Sequence, residues 1–234
     1  DVVSSALEDV MQATTADSGC AILMDVHTGE VRAIANLTRK GISLDEIRNY
    51  AVAMQTEPGS VFKLASVIAL LDAGKVDTSY RIDTGEGEWK EKSWDRPMKD
   101  WKTGGFWEIS LAQAVHYSSN IGISKPVYDF FNGSKDKFVD KLYAMKLNDS
   151  MDREIPGSGK PKIRSPKDQS VKFDDTYLPW MSIGYNVEIP PIYTLTFYNA
   201  IANNGKMIKP IFVKSIKRRG KTEKTFSTEV LCQQ

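Results

Sequence analysis

Residues 57 to 63 read Glu57-Pro58-Gly59-Ser60-Val61-Phe62-Lys63, and an apolar run follows. The stretch sets a hydroxyl and an amine three positions apart. In a helix, side chains at i and i+3 share a face, so Lys63 can reach Ser60 without help from distant parts of the chain. A serine becomes a useful nucleophile when a neighbouring base removes its proton, and a lysine stripped of its charge by burial is such a base. Pro58-Gly59 reads as a helix start and puts Ser60 in the first turn, where free N–H groups and the positive dipole end favour an oxyanion. The chemistry offered is acyl transfer through a covalent serine ester, in the S-x-x-K pattern.

Spacing alone does not single out this pair, because chance yields roughly two S-x-x-K matches in a chain of this composition. The second match, Ser134-Lys135-Asp136-Lys137 after Asn132-Gly133, reads as a helix N-cap with solvated charges. Ser60 differs in having Pro-Gly before it and a buried-looking helix, Val61 to Leu71, after it. A second feature lies at Ser118-Ser119-Asn120-Ile121-Gly122, which interrupts a helical pattern that Ser110 caps. There, a hydroxyl and an amide two positions apart could hydrogen-bond one amine and one substrate amide.

Together, these segments resemble the transpeptidase domain of class B penicillin-binding proteins. The likeness runs from Gly19–Ala35, similar to that family's opening β-hairpin, through Pro58-Gly59-Ser60-Val61-Phe62-Lys63, then from Asp100-Trp101 and Ser110-Leu111-Ala112-Gln113-Ala114, similar to its approach to the second motif, to Ser118-Ser119-Asn120-Ile121-Gly122. It continues through Trp180-Met181-Ser182-Ile183-Gly184-Tyr185-Asn186 to Ala200–Gly205 and Pro210, in the family's order. The resemblance implies Ser60 as acylated nucleophile, Lys63 as its base, Ser118 as proton relay to the leaving amine, and Asn120 as the group that holds Lys63 and binds the substrate peptide. It places Ser119 and Gly184 among the substrate-binding residues. The implied reaction is peptidoglycan D,D-transpeptidation. Ser60 attacks a stem peptide ending in D-Ala-D-Ala, the last D-alanine leaves, and an amine of a neighbouring stem takes the acyl group. β-Lactam antibiotics would acylate the same serine. Two alternatives stay open: a β-lactamase, D,D-carboxypeptidase or β-lactam sensor of the same fold, and a non-catalytic interaction domain.

The family's third motif, K-T-G or K-S-G on an edge strand, follows the first two in chain order. Lys102-Thr103-Gly104 lies between them and reads as a loop coincidence, and Lys221-Thr222-Glu223 reads as a charged hairpin turn. The chain stops at Leu231-Cys232-Gln233-Gln234. The expectation is therefore a partial domain whose C-terminal strands are missing and whose catalysis is impaired, since one oxyanion donor is worth ~10²–10³ in rate. The start, Asp1-Val2-Val3, points to an excised domain, with the family's membrane anchor and pedestal domain lying outside it. The resemblance then places the whole protein on the outer, periplasmic side of the inner membrane, in contact with division or elongation machinery.

A chain of 234 residues with 41% hydrophobic content can bury a core. A net charge of +1 carries no nucleic-acid signal, and Lys217-Arg218-Arg219-Gly220-Lys221 reads as a solvated turn. Cys20 and Cys232 form no disulfide framework, and Cys20 reads as a buried small hydrophobe. With His27 and His116 as its histidines, the chain suggests no metal site and no cofactor. G-x-S-x-G is absent, which argues against a Ser-His hydrolase. No apolar run reaches the roughly 18 residues of a membrane span.

The elements that must position these residues follow from pattern. A helix is expected over about 2–14, then strands at about 20–26 and 30–36 around a Thr28-Gly29 turn. The Ser60 helix should end near Gly74, and 75–105 should be mostly loop. Helices are expected at about 110–118, 122–131, 135–146 and 191–203, and a strand near 207–217. Residues 148–176, rich in Pro and Gly, read as irregular and mobile. Trp89, Trp94, Trp101 and Trp107 read as packing in a loop-rich lobe, against the alternative of a carbohydrate platform. The fold class is α+β, an antiparallel sheet flanked by helices with a mostly helical lobe. The sheet-associated lobe is about 1–74 and 190–234, and the helical lobe about 75–189.

Overall fold

A computed structural model describes residues 1–151, 155–170 and 172–233. Residues 152–154 and 171, part of the stretch read as irregular and mobile, lie outside the described residues, as does Gln234. The chain forms two compact units, one of residues 1–56, 146–161 and 189–234, the other of 57–145 and 162–188. The sequence-based lobes divide differently. Residues 57–74 group with the helices, because the Lys63–Asp72 helix packs on Asn120–Phe131 and Lys135–Ala144.

The first unit is built on an antiparallel sheet in which Val31–Lys40 lies between Ser18–Met24 and Ser43–Asp45. The helix Val2–Ala13 covers the first two strands and buries Met11. Gly19 lets it approach, since a Cβ there would stand 3.1 Å from Leu7 and 3.2 Å from Met11. Asp25 shapes the hairpin turn: its carboxylate accepts from the backbone N–H groups of His27 and Thr28 and from the Thr28 hydroxyl. Those bonds, Thr28's first, hold the Asp25 carboxyl below its ordinary range. Within this unit Asn36 is buried and accepts from Ala51 N–H at 3.0 Å, tying the central strand to the helix Tyr50–Ala53. The helix Pro191–Ala202 starts with proline in its first turn, where a missing N–H does no harm.

The strand expected near 207–217 is broken. Lys206–Ile208 pairs with Val230–Gln233, and Ser215–Arg218 pairs with Lys221–Thr225. Pro210 has no N–H to continue a ladder between them. Lys221-Thr222-Glu223 is strand, not turn. The turn sits at Arg219-Gly220, both at positive φ, as a two-residue hairpin loop requires. Cys20 is half-buried, and burial raises its thiol pKa.

The second unit is mostly helical. The helices Lys63–Asp72, Leu111–His116, Asn120–Phe131, Lys135–Ala144 and Tyr177–Ser182 bury Leu70, Leu111, Ile121, Ile123, Phe138, Leu142, Leu178 and Met181. The segment expected as loop carries short antiparallel ladders, Arg81–Asp83 with Glu108–Ser110 and Glu88–Trp89 with Met98–Lys99. Trp94 is 2% exposed and meets Trp89 and Tyr128 edge to face, whereas Trp101 and Trp107 are exposed. Ser110 caps its helix in a reciprocal box with Gln113.

Candidate active site

Every site residue expected from the sequence falls in the second unit. Ser60 lies in a short 3₁₀ turn, Gly59–Phe62, that leads into the Lys63–Asp72 helix. The turn is tighter than the α-helix expected, and at three residues per turn it stacks i over i+3. The Lys63 N–H donates to Ser60 O and closes the turn. Ser60 is exposed, while Lys63 is 4% exposed. One side of the pair faces solvent and the other is packed.

Lys63 Nζ donates to Ser118 O at 2.6 Å and to Ser118 Oγ at 3.0 Å. Residues 55 positions apart are thereby joined at one amine. Burial pushes the Lys63 pKa down to about 8, against the nearby Asp100 carboxylate, which raises it. At pH 7 about a tenth of the amine is then neutral and able to accept a proton. Ser118 is held at φ +52, a left-handed conformation that a serine rarely adopts. This geometry turns both its carbonyl and its hydroxyl toward the amine.

Helix packing fixes the platform. Ser66 Oγ donates to Ser182 O at 2.7 Å, and Ser182 Oγ reaches Pro179 O at 2.7 Å and Ser124 Oγ at 3.2 Å. The three hydroxyls are fully buried and connect three helices through satisfied polar bonds. The Ser60 turn is fixed from outside by Gly184, at φ +89, whose carbonyl accepts from Gly59 N–H.

Two residues assigned to substrate by resemblance occupy other places. Ser119 is fully buried. Its hydroxyl donates to Asp100 and accepts from Gly122 N–H, so it caps the Asn120–Phe131 helix. Gly184 packs on Gly59. Asn120, expected to hold Lys63, donates its Nδ2 to Lys99 O at 2.8 Å, and the Lys63 bonds go to Ser118. Lys102-Thr103-Gly104 lies in an irregular bend and turn, with Lys102 Nζ 5.2 Å from the Phe106 ring centroid.

Sequence reasoning assigned no role to Asp100. Its carboxylate meets Ser119 Oγ, Asn120 N–H and Ile121 N–H. Asp100 opens the stretch, through Ser110-Leu111-Ala112-Gln113-Ala114, that resembles the family's approach to the second motif, but nothing local marks it as the partner of Ser119 and Asn120.

A solvent-facing serine, a buried amine of lowered pKa one turn on, and a second serine bonded to that amine thus occupy the S-x-x-K and S-x-N positions. The chain belongs to the penicillin binding protein transpeptidase domain family, whose model matches residues 19–231. It is 26% identical over 210 residues to a probable peptidoglycan D,D-transpeptidase PenA of Neisseria meningitidis, covering 85% of this chain and 33% of that protein. It is 24% identical over 238 residues to the peptidoglycan D,D-transpeptidase FtsI of Escherichia coli, covering 96% and 37%. The chain thus spans about a third of the length of these relatives. The apo structure of the TP domain from Burkholderia pseudomallei penicillin-binding protein 3 superposes with a TM-score of 0.77 at 22% identity, over 97% of this chain and 62% of that one.

Proposed function

We propose that this chain carries the acylating centre of a peptidoglycan D,D-transpeptidase. Neutral Lys63 takes the Ser60 proton as Ser60 Oγ attacks the penultimate D-alanine carbonyl of a stem peptide. The Ser118 hydroxyl, which touches Lys63 Nζ, passes a proton to the departing D-alanine nitrogen, leaving an ester on Ser60. An incoming stem-peptide amine then reverses the path: it loses its proton toward Lys63, attacks the ester, and restores the Ser60 hydroxyl. The observation that supports this most is the single amine bonded to Ser118 while stacked one turn from Ser60.

β-Lactams would acylate Ser60, and the whole protein would act membrane-anchored on the periplasmic side, with division or elongation machinery. No helix among the described residues is long and apolar enough to cross a membrane. Intact mass after incubation with a penicillin tests the reading. A stable adduct on Ser60, lost in Ser60→Ala, is expected. Rapid release of the adduct would favour a β-lactamase, and no adduct even on a chain that also carries the third motif would favour a non-catalytic domain.

A further inference from the structure

We infer that Asp100 is a positioning residue of this centre: its carboxylate holds the Ser118 bend against the general base, and its charge bears on that base. The inference deepens the acyl-transfer reading and rests on it.

Segment 99–101 is bonded to segment 117–121 on both sides of Ser118. On the near side, Trp101 Nε1 donates to Tyr117 O at 2.8 Å. On the far side, Asp100 Oδ1 accepts from Asn120 N–H at 2.6 Å and from Ile121 N–H at 3.1 Å, and the Ser119 hydroxyl donates to both carboxylate oxygens. Asn120 Nδ2 returns a bond to Lys99 O. Ser118, at its unfavourable positive φ, is thus clamped from each flank, and its two oxygens face one way because the flanks cannot relax. A carboxylate accepting backbone N–H groups at the start of a twelve-residue helix is a strong anchor for that clamp.

Charge is the second part. The elements packed on the Lys63–Asp72 helix carry Lys125 and Asp129 on Asn120–Phe131, His116 at the end of Leu111–His116, and Lys135, Asp136, Lys137, Asp140 and Lys141 on Lys135–Ala144, where Lys141 is paired with Asp72. Lys99, beside Asp100, is paired with Glu88. Asp100 is the charge whose field reaches Lys63, and it opposes the effect of burial. Removing that charge while keeping the shape should make Lys63 easier to deprotonate and, at the same time, loosen the bend.

Two readouts test this. The first is the midpoint of Lys63 deprotonation, followed by the NMR shift of its ε-carbon, which needs no substrate. The second is the pH profile of acylation by a fluorescent penicillin. For Asp100→Asn the lysine midpoint should move to lower pH, the acid limb of acylation should follow it, and the plateau rate should fall about 10- to 100-fold. Ser119→Ala removes a cap bond but keeps the charge, so it should lower the melting temperature and leave the midpoint unmoved. Should Asp100→Asn fail to fold, Asp100→Glu carries the test: the midpoint stays near the parent's while the plateau rate drops. A lysine midpoint unchanged in Asp100→Asn, or an equal displacement in Ser119→Ala, overturns the inference. A parent chain that takes no penicillin even when it also carries the third motif overturns the acyl-transfer reading instead, and the lysine titration still judges Asp100.

Discussion

A Cβ on Gly184 would stand 2.1 Å from the carbonyl oxygen of Gly59, the residue next to the nucleophile. Gly184 sits at φ +89 and Gly59 at φ +60, and the main chains approach so closely that position 184 has no room for a side chain, whereas a Cβ on Gly59 would meet open space. Gly184→Ala should therefore lower unfolding free energy by about 3 kcal/mol or more, combining conformational strain with a clash against main chain. Penicillin labelling of Ser60 should be lost in whatever fraction remains folded. Chemical denaturation and gel labelling check both.

Lys63→Met addresses the energy held in the buried amine. A folded pKa of about 8 against an ordinary value of 10.5 disfavours the native state by about 3 kcal/mol below about pH 8, where both states carry the charge. The unfolded chain binds more protons between those values, so parent stability rises with pH through that window. The variant escapes this penalty and loses its bonds to Ser118. It should be more stable than the parent at pH 7, by up to about 3 kcal/mol, with the advantage shrinking between about pH 8 and pH 10.5. Urea unfolding at several pH values gives the answer, and an advantage independent of pH would contradict the burial argument.

Acylation kinetics should report the same group. The second-order rate constant with a penicillin is expected to rise with pH on an acid limb centred near 8, since it tracks the free protein's base. Stopped-flow labelling across pH 6 to 10 measures it. A limb centred at the ordinary lysine value would show that the amine is not desolvated in solution.

Ser118 separates strain from chemistry. Ser118→Ala keeps the left-handed backbone and removes the hydroxyl; Ser118→Gly removes both strain and hydroxyl. The glycine variant should be the more stable of the two by about 1 kcal/mol, and both should acylate slowly. Equal melting temperatures would argue against strain at this position.

The buried serine chain makes a fourth comparison. Ser182→Ala leaves the hydroxyl of Ser124 without its Ser182 contact and removes the bond to Pro179 O, and should destabilise by about 1–3 kcal/mol. Adding Ser124→Ala should cost less than the two single changes suggest, because the pair shares one bond. Double-mutant denaturation decides it.

Ser60 and Lys63 were legible because a local turn sets their spacing, and local geometry is what sequence periodicity encodes. The N-terminal helix, the first hairpin and the helices beginning near 111, 135 and 191 were legible for the same reason: each carries a cap, a glycine turn or an apolar stripe. Asp100 was legible as the start of a family-like segment but not in its role, because its partners lie about twenty residues away. The buried placement of Ser119 was equally hidden, since one bend turns neighbouring hydroxyls in opposite directions. The break at Pro210 was readable from proline's missing donor and was passed over in favour of a continuous apolar run. The turn at Arg219-Gly220 falls inside the basic run 217–221 that reads as a solvated turn, whereas Lys221-Thr222-Glu223, weighed by its charge, belongs to the strand that follows.

Half of the anchorage of Lys63 comes from the main-chain oxygen of Ser118 rather than from its hydroxyl. Genetic change at that codon can redraw the proton's route but cannot delete the oxygen. A substitution at position 118 would thus leave the amine bonded to the main chain, and a loss of reactivity there would reflect altered proton transfer rather than a mislaid base.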